Sequence, residues 1–218
     1  MRILIGQPTH EEGITQLQNE VNENEGIDAV LYPEGYISNE NALVDACALA
    51  KERDILIITS YKKDNKDRAV VISNDGKIIL ERAKTLPDEN IELYTPLMAS
   101  YGDINIGYLL CMEILKGARD FKKIGEKISF IAHPIGVGMF SEEQFREWIN
   151  EAEKIAKINN TIIVGTSHAD GSYRNCGISI PISYCIDNNG DTIYVSSADT
   201  RTRIIDLKTK SVLIKENA

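Results

Sequence analysis

Six short runs rich in β-branched residues set the main constraint on this chain: RILIG from Arg2, DAVLY from Asp28, DILIITS from Asp54, INIGYLL from Ile104, KISFIA from Lys127 and TIIVGT from Thr161. Runs this short and apolar suit buried strands, and their alternation with helix-period segments predicts an α/β architecture. The helical segments carry the stripe that packs against a sheet: Ile14, Leu17 and Val21 in the first, Leu43, Cys47 and Ala50 in the second. From Ser141 onward, Phe145, Trp148, Ile149, Ala152, Ile155 and Ala156 fall on one face, and Ser141 with Gln144 forms a capping-box pattern at its start.

Two hairpins interrupt the alternation. AVVIS and KIILE flank Asn74-Asp75-Gly76, and ISYCI and DTIYV flank Asn188-Asn189-Gly190, turns whose residues accept positive φ. Antiparallel pairs beside strand–helix units predict mixed β-sheets. The polar stretch from Lys62 to Arg68 is expected to be a mobile loop. With 218 residues and no repeat, low-complexity stretch or long linker, residues 1–218 are expected to form a single domain.

Composition narrows the partners. A net charge of −9 with no dense Lys/Arg block predicts no nucleic acid and no anionic membrane surface, because both attract basic proteins. No run is long and apolar enough to cross a bilayer, and MRILIGQPTH lacks the features of an export signal, so the expected location is cytoplasmic. Cys47, Cys111, Cys176 and Cys185 form no C-x-x-C pair and read as free thiols; His10, His133 and His168 are too scattered for a zinc pattern, so no metal is expected.

Three residues could carry chemistry. Cys111 ends the INIGYLL run where a helix-compatible segment begins, a junction that raises a nucleophile on a sharp turn and places a thiol at a helix N-terminus, whose partial positive charge is expected to favour a thiolate. Taken alone, it also reads as a buried strand cysteine. Glu34 follows DAVLY between Pro33 and Gly35, and Lys84 follows the KIILE strand before Pro87; each alone also reads as an exposed loop or strand-end charge. Their order is the informative feature, since all three stand at the carboxyl ends of strands, where α/β sheets place their sites.

In Tyr32-Pro33-Glu34-Gly35-Tyr36, Ala83-Lys84-Thr85-Leu86-Pro87 and Gly107-Tyr108-Leu109-Leu110-Cys111 the sequence resembles the nitrilase superfamily of carbon–nitrogen hydrolases. The resemblance runs from the opening strand with Gln7 to the closing TRIIDL. It implies a four-layer α-β-β-α sandwich with mixed sheets, a Glu34 base, a Cys111 nucleophile, and an oxyanion site made by Lys84 and the backbone N–H of Met112. It further implies a second catalytic acid at Glu92, eight positions after Lys84, an acid at Glu113, and no cofactor. His133, Pro134, Gly136 and Gly138 fall where the family lines its pocket, with His168, Asp170 and Arg174 after a later strand; His133 is not counted among the catalytic groups. A homodimer is implied through the helix after the cysteine, with Ile114, Leu115, Ala118 and Phe121 as the candidate surface. The sequence departs from the family pattern at Ile114-Leu115-Lys116 and Cys176-Gly177-Ile178, and its Glu34-to-Lys84 interval is short. These differences bear on pocket and substrate.

The reading is thus an amidase acting on a small amide, carbamoyl compound or nitrile, through a thioester. Acyl transfer by the same groups, or a catalytically silent binding and assembly subunit, are the alternatives. A thiol redox protein ranks below both because no resolving cysteine lies near Cys111 in sequence.

Overall fold

The computed structural model describes residues 1–88 and 90–216. In chain order it contains β1 (Arg2–Ile5), α1 (Thr15–Glu23), β2 (Ala29–Leu31), α2 (Glu40–Arg53), β3 (Leu56–Lys63), β4 (Lys66–Ile72), β5 (Ile78–Ala83), β6 (Met98–Tyr101) and β7 (Ile104–Tyr108). There follow α3 (Ile114–Asp120), β8 (Phe130–Pro134), α4 (Glu142–Asn159), β9 (Ile162–Thr166), β10 (Ile182–Ile186), β11 (Thr192–Ser197), β12 (Arg203–Asp206) and β13 (Val212–Ile214).

The strands form two sheets, ordered β13-β12-β1-β2-β3-β4-β5 and β11-β10-β9-β8-β7-β6. Each has a parallel centre, β1-β2-β3 or β7-β8-β9, flanked by antiparallel pairs. Period-two alternation then separates the layers. Ile3, Ile5, Leu31, Ile58 and Val71 face Ile106, Phe130, Ala132 and Val164 between the sheets. The intervening Leu4, Val30, Ile57 and Val70 meet Leu17, Val21, Leu43, Ala46 and Ala50 of α1 and α2. On the far side Ile131, Ile163 and Ile182 meet Ile114, Trp148, Ala152 and Ile155 of α3 and α4. The result is the α-β-β-α sandwich that the motifs implied. A one-residue slip in any central strand would exchange its two apolar faces, so the register is tightly specified.

The helix ends follow their sequence signals. Asn39 accepts from the N–H groups of Asn41 and Ala42 at the start of α2, and Ser141 Oγ accepts from Gln144 N–H at 3.1 Å at the start of α4. Gln144 Oε1 returns the bond to Phe140 N–H at 2.9 Å, one residue before the capping-box position. Asp54 and Asn160 close α2 and α4 in the left-handed region.

Three expectations change. The Lys62–Arg68 stretch is a paired hairpin, with Lys62 opposite Asp67 and Lys63 opposite Lys66. Asp64 and Asn65, at φ 52° and 57°, supply the tight turn that matches strand twist. β6, which holds no β-branched residue, and β13, only three residues long, are strands that the sequence pattern does not mark. The candidate dimer surface is half consumed: Ile114 and Phe121 are buried against α4 and the second sheet, leaving Leu115 and the neighbouring Met112 exposed. Among the described residues no helix is long and apolar enough to cross a membrane.

Candidate active site

The carboxyl ends of the parallel strands from both sheets converge on one cavity of about 610 Å3, bordered by Glu34, Lys84, Cys111 and Met112 among others. Glu34 lies three residues past β2, Lys84 directly after β5, and Cys111 three residues past β7.

The Glu34 turn is anchored on both sides. Tyr32 and Tyr36 are fully buried in edge-to-face contact, with ring centroids 4.6 Å apart. Their hydroxyls donate to Glu20 and Glu11, at 2.9 and 2.5 Å. Thr59 Oγ1 donates to Pro33 O at 2.8 Å, Gly35 N–H donates to Ser60 Oγ at 2.5 Å, and Glu34 N–H donates to Ile135 O at 3.3 Å, reaching across to the second sheet. Gly35 at φ 75° makes the turn without the cost a side chain would bring. Gly136 permits a second close approach, since a Cβ there would lie 2.7 Å from Glu34 Oε2.

Lys84 Nζ stands 2.6 Å from Glu34 Oε1. The approach is short but poorly directed, so this buried oxygen keeps no well-aligned hydrogen bond. Burial pushes the Glu34 carboxyl above its ordinary range despite the pull of Lys84. Burial pulls Lys84 downward, but Cys111 and Glu34 carry it above its usual value, so it stays cationic.

Cys111 adopts φ 53°, a left-handed conformation rarely taken by a side-chain-bearing residue and typical of strained functional turns. A single 3-10 turn, Cys111–Glu113, leads from it into α3. Burial, reinforced by the Glu34 carboxylate, pushes the Cys111 thiol up to about 12, against the pull of Lys84 and the N–H of Gly136. The sequence argument favoured a thiolate at a helix N-terminus. Burial beside a carboxylate outweighs the short helix here, and the resting group is a thiol.

Glu113 is a clamp rather than a solvated helix acid. It pairs with Arg82 through two bonds of 2.7 and 2.6 Å, and both side chains are 2% exposed. Its remaining lone pairs accept Thr85 N–H at 2.8 Å and Leu110 N–H at 2.7 Å. One carboxylate therefore ties the residue after Lys84 to the residue before Cys111.

The two buried histidines hold backbone. His133 is held down to about 4 by burial and is neutral. Its Nε2 lies 2.8 Å from Cys111 O and must carry the proton, so Nδ1 accepts from Tyr184 OH at 2.5 Å. His168, also near 4 through burial and the neighbouring His10, turns its nitrogens to Glu34 O and Pro8 O at 3.1 and 3.2 Å. It stacks on His10, whose Nδ1 is 2.8 Å from Asp170. His10, His168 and Asp170 bring three possible metal ligands within 4.8 Å of one another. Both His168 nitrogens face backbone carbonyls and His10 Nδ1 is paired with Asp170, so the trio reads as a brace for the Glu34 turn.

Glu92 is not brought to the site. Its side chain is 71% exposed, pairs with Lys123 at 2.5 Å and borders a separate cleft with Leu93, Pro96 and Asp120. The segment after Lys84 is drawn toward α3, where Asp120 accepts Leu93 N–H at 2.9 Å, and this carries Glu92 away from the cavity. Asp67 and Lys62 of the β3–β4 hairpin, by contrast, line the cavity unanticipated. Register counting from the Asn74-Asp75-Gly76 turn could have found Asp67: Arg68 pairs with Ala83, so Asp67 falls beside Lys84. Cys176 also borders the cavity, supplying in space the second thiol that the sequence does not place near Cys111.

Two mixed sheets between paired helix layers, with strand ends meeting at one cavity, are the fold of the carbon–nitrogen hydrolases of the nitrilase superfamily. A carbon–nitrogen hydrolase from Helicobacter pylori G27 superposes with a TM-score of 0.75 at 16% identity, over 96% of this chain and 90% of that one. A cysteine-to-alanine variant of the Nesterenkonia sp. AN1 amidase, a nitrilase-superfamily enzyme, gives 0.76 at 16% identity over 95% and 90%. A double variant of the same amidase, with Glu-to-Gln and Cys-to-Ala changes, in complex with acrylamide gives 0.74 at 13% identity over 95% and 90%. No family model matches the sequence, and no curated protein matches it.

Proposed function

We propose that this protein hydrolyses the carbon–nitrogen bond of small non-peptide amides through a thioester on Cys111. The observation that carries the reading is the meeting of Glu34, Lys84 and Cys111 at one cavity, with Lys84 2.6 Å from Glu34 and Cys111 on a left-handed turn. The acrylamide complex of the Nesterenkonia sp. AN1 amidase variant supports an amide as the substrate class.

Because the Cys111 thiol rests protonated, a base is required. Glu34 takes the thiol proton as sulfur attacks the carbonyl carbon. The oxyanion that forms is held by Lys84 Nζ and the N–H of Met112. Collapse of the adduct breaks the carbon–nitrogen bond, and Glu34 returns the proton to the departing nitrogen, releasing ammonia or an amine. Glu34 then deprotonates a water that attacks the thioester, and the thiol is regenerated with a carboxylic acid product. Arg82, Glu113 and His133 act as positioning residues that hold the Lys84 and Cys111 segments. The steps use no cofactor. The protein acts on dissolved substrates in the cytoplasm, as a homodimer pairing through the exposed Leu115 and Met112 beside α3.

Ammonia release from a panel of primary amides, N-carbamoyl amino acids and nitriles tests the reading. Amides should release ammonia, with Cys111→Ala reducing the rate to background. No release from any compound would support a silent subunit instead.

A further inference from the structure

Asp67 is a carboxylate at the catalytic cavity that the steps above leave without a task. It stands near the start of β4, across the hairpin from Lys62 and beside Lys84, whose N–H donates to Asp67 O at 3.0 Å. Its Oδ1 lies 3.4 Å from the point a Cβ on Gly35 would occupy, which sets this oxygen over the turn that carries Glu34. Asp67 Oδ1 is shut off from solvent and has no hydrogen-bond partner among the described residues. No ion pair joins Asp67 to Lys62 or Lys84 among those residues either, although both line the same cavity. Its charge is felt by the machinery, raising both Glu34 and Lys84.

A buried carboxylate oxygen without a donor costs free energy until a donor arrives. The neighbouring protein cations do not fill that role, and the acid expected at Glu92 is paired with Lys123 outside the cavity. We propose that Asp67 is a substrate-orienting residue whose carboxylate turns about its Cβ–Cγ bond as substrate enters, so that Oδ1 accepts an N–H from the scissile amide nitrogen, selecting substrates that carry such a hydrogen over esters of the same acyl group. With the nitrogen held by Asp67, the carbonyl oxygen turns to Lys84 and the carbonyl carbon to Cys111. An ester presents only lone pairs to the same carboxylate and is repelled. This inference rests on the amide-hydrolysis reading of Cys111.

The test compares kcat/KM for butyramide and methyl butyrate in the wild-type protein, Asp67→Ala and Asp67→Asn. Asp67→Ala should lower the butyramide value about thirtyfold or more, since a site built to receive a hydrogen bond discriminates strongly by it. The methyl butyrate value should rise, because the carboxylate that repels the ester is gone. Asp67→Asn, which keeps an acceptor oxygen without the charge, should recover part of the amide rate and controls for folding. Equal losses on both substrates, or an unchanged amide rate, overturn the assignment while leaving the Cys111 reading intact. Failure of the wild-type protein to hydrolyse either compound overturns both.

Discussion

Glu34→Gln should lower kcat/KM for a primary amide by about 1,000-fold while making Cys111 easier to alkylate. The first effect follows from the thiol at about 12: near neutrality almost none is ionised, so acylation depends on a base within reach. A positioned general base contributes about 100- to 10,000-fold, and the isosteric glutamine removes that contribution with little change in shape. The second effect follows from charge. Glu34 is one of the two main causes holding the thiol up, and its loss leaves the cationic Lys84 in place, so more thiolate is present at pH 7. Generic disruption of the pocket would lower both rates. The pH profile supplies a further check. Glu34 must be ionised to accept the proton, and burial raises its pKa above the ordinary 4.5. In the wild-type protein kcat/KM should therefore fall as pH drops through a value above 4.5, and the residual activity of Glu34→Gln should lack that acid limb.

Glu113→Gln should destabilise the fold by about 3–5 kcal/mol, read as a lower urea midpoint at constant slope. The pair with Arg82 is shielded from solvent, and the amide would leave the guanidinium as an uncompensated buried charge. Replacing both partners with leucine should recover part of the loss by removing that charge. Recovery stays incomplete because the N–H groups of Thr85 and Leu110 lose their acceptor. Activity should not return in the double variant, since the tie between the Lys84 and Cys111 segments is gone. A double variant as active as the wild-type protein would show that Glu113 serves stability alone.

Local signals made much of this architecture readable. Continuous apolar runs such as Ile3-Leu4-Ile5 forecast strands buried on both faces, and the Asn74-Asp75-Gly76 and Asn188-Asn189-Gly190 turns forecast the hairpins that flank the parallel centres. Glu34, Lys84 and Cys111 could be singled out because each follows a strand whose end the pattern marks. Long-range choices were not readable in the same way. Whether Glu92 turns toward Lys84 depends on Asp120 and Lys123, some thirty residues later in the chain. The state of the Cys111 thiol depends on how deeply two sheets bury it beside Glu34, which no local pattern encodes. The polar composition of the Lys62–Arg68 stretch hid a turn built from Asp64 and Asn65, and with it Asp67.

The most direct measurement of the central claim is the mass of the protein quenched in acid during turnover of butyramide. A butyryl group carried on the peptide containing Cys111, and absent from Cys111→Ala, is the result expected if sulfur forms the thioester. Steady ammonia release from a Cys111→Ala protein, or an acyl group found on any other residue, would contradict it.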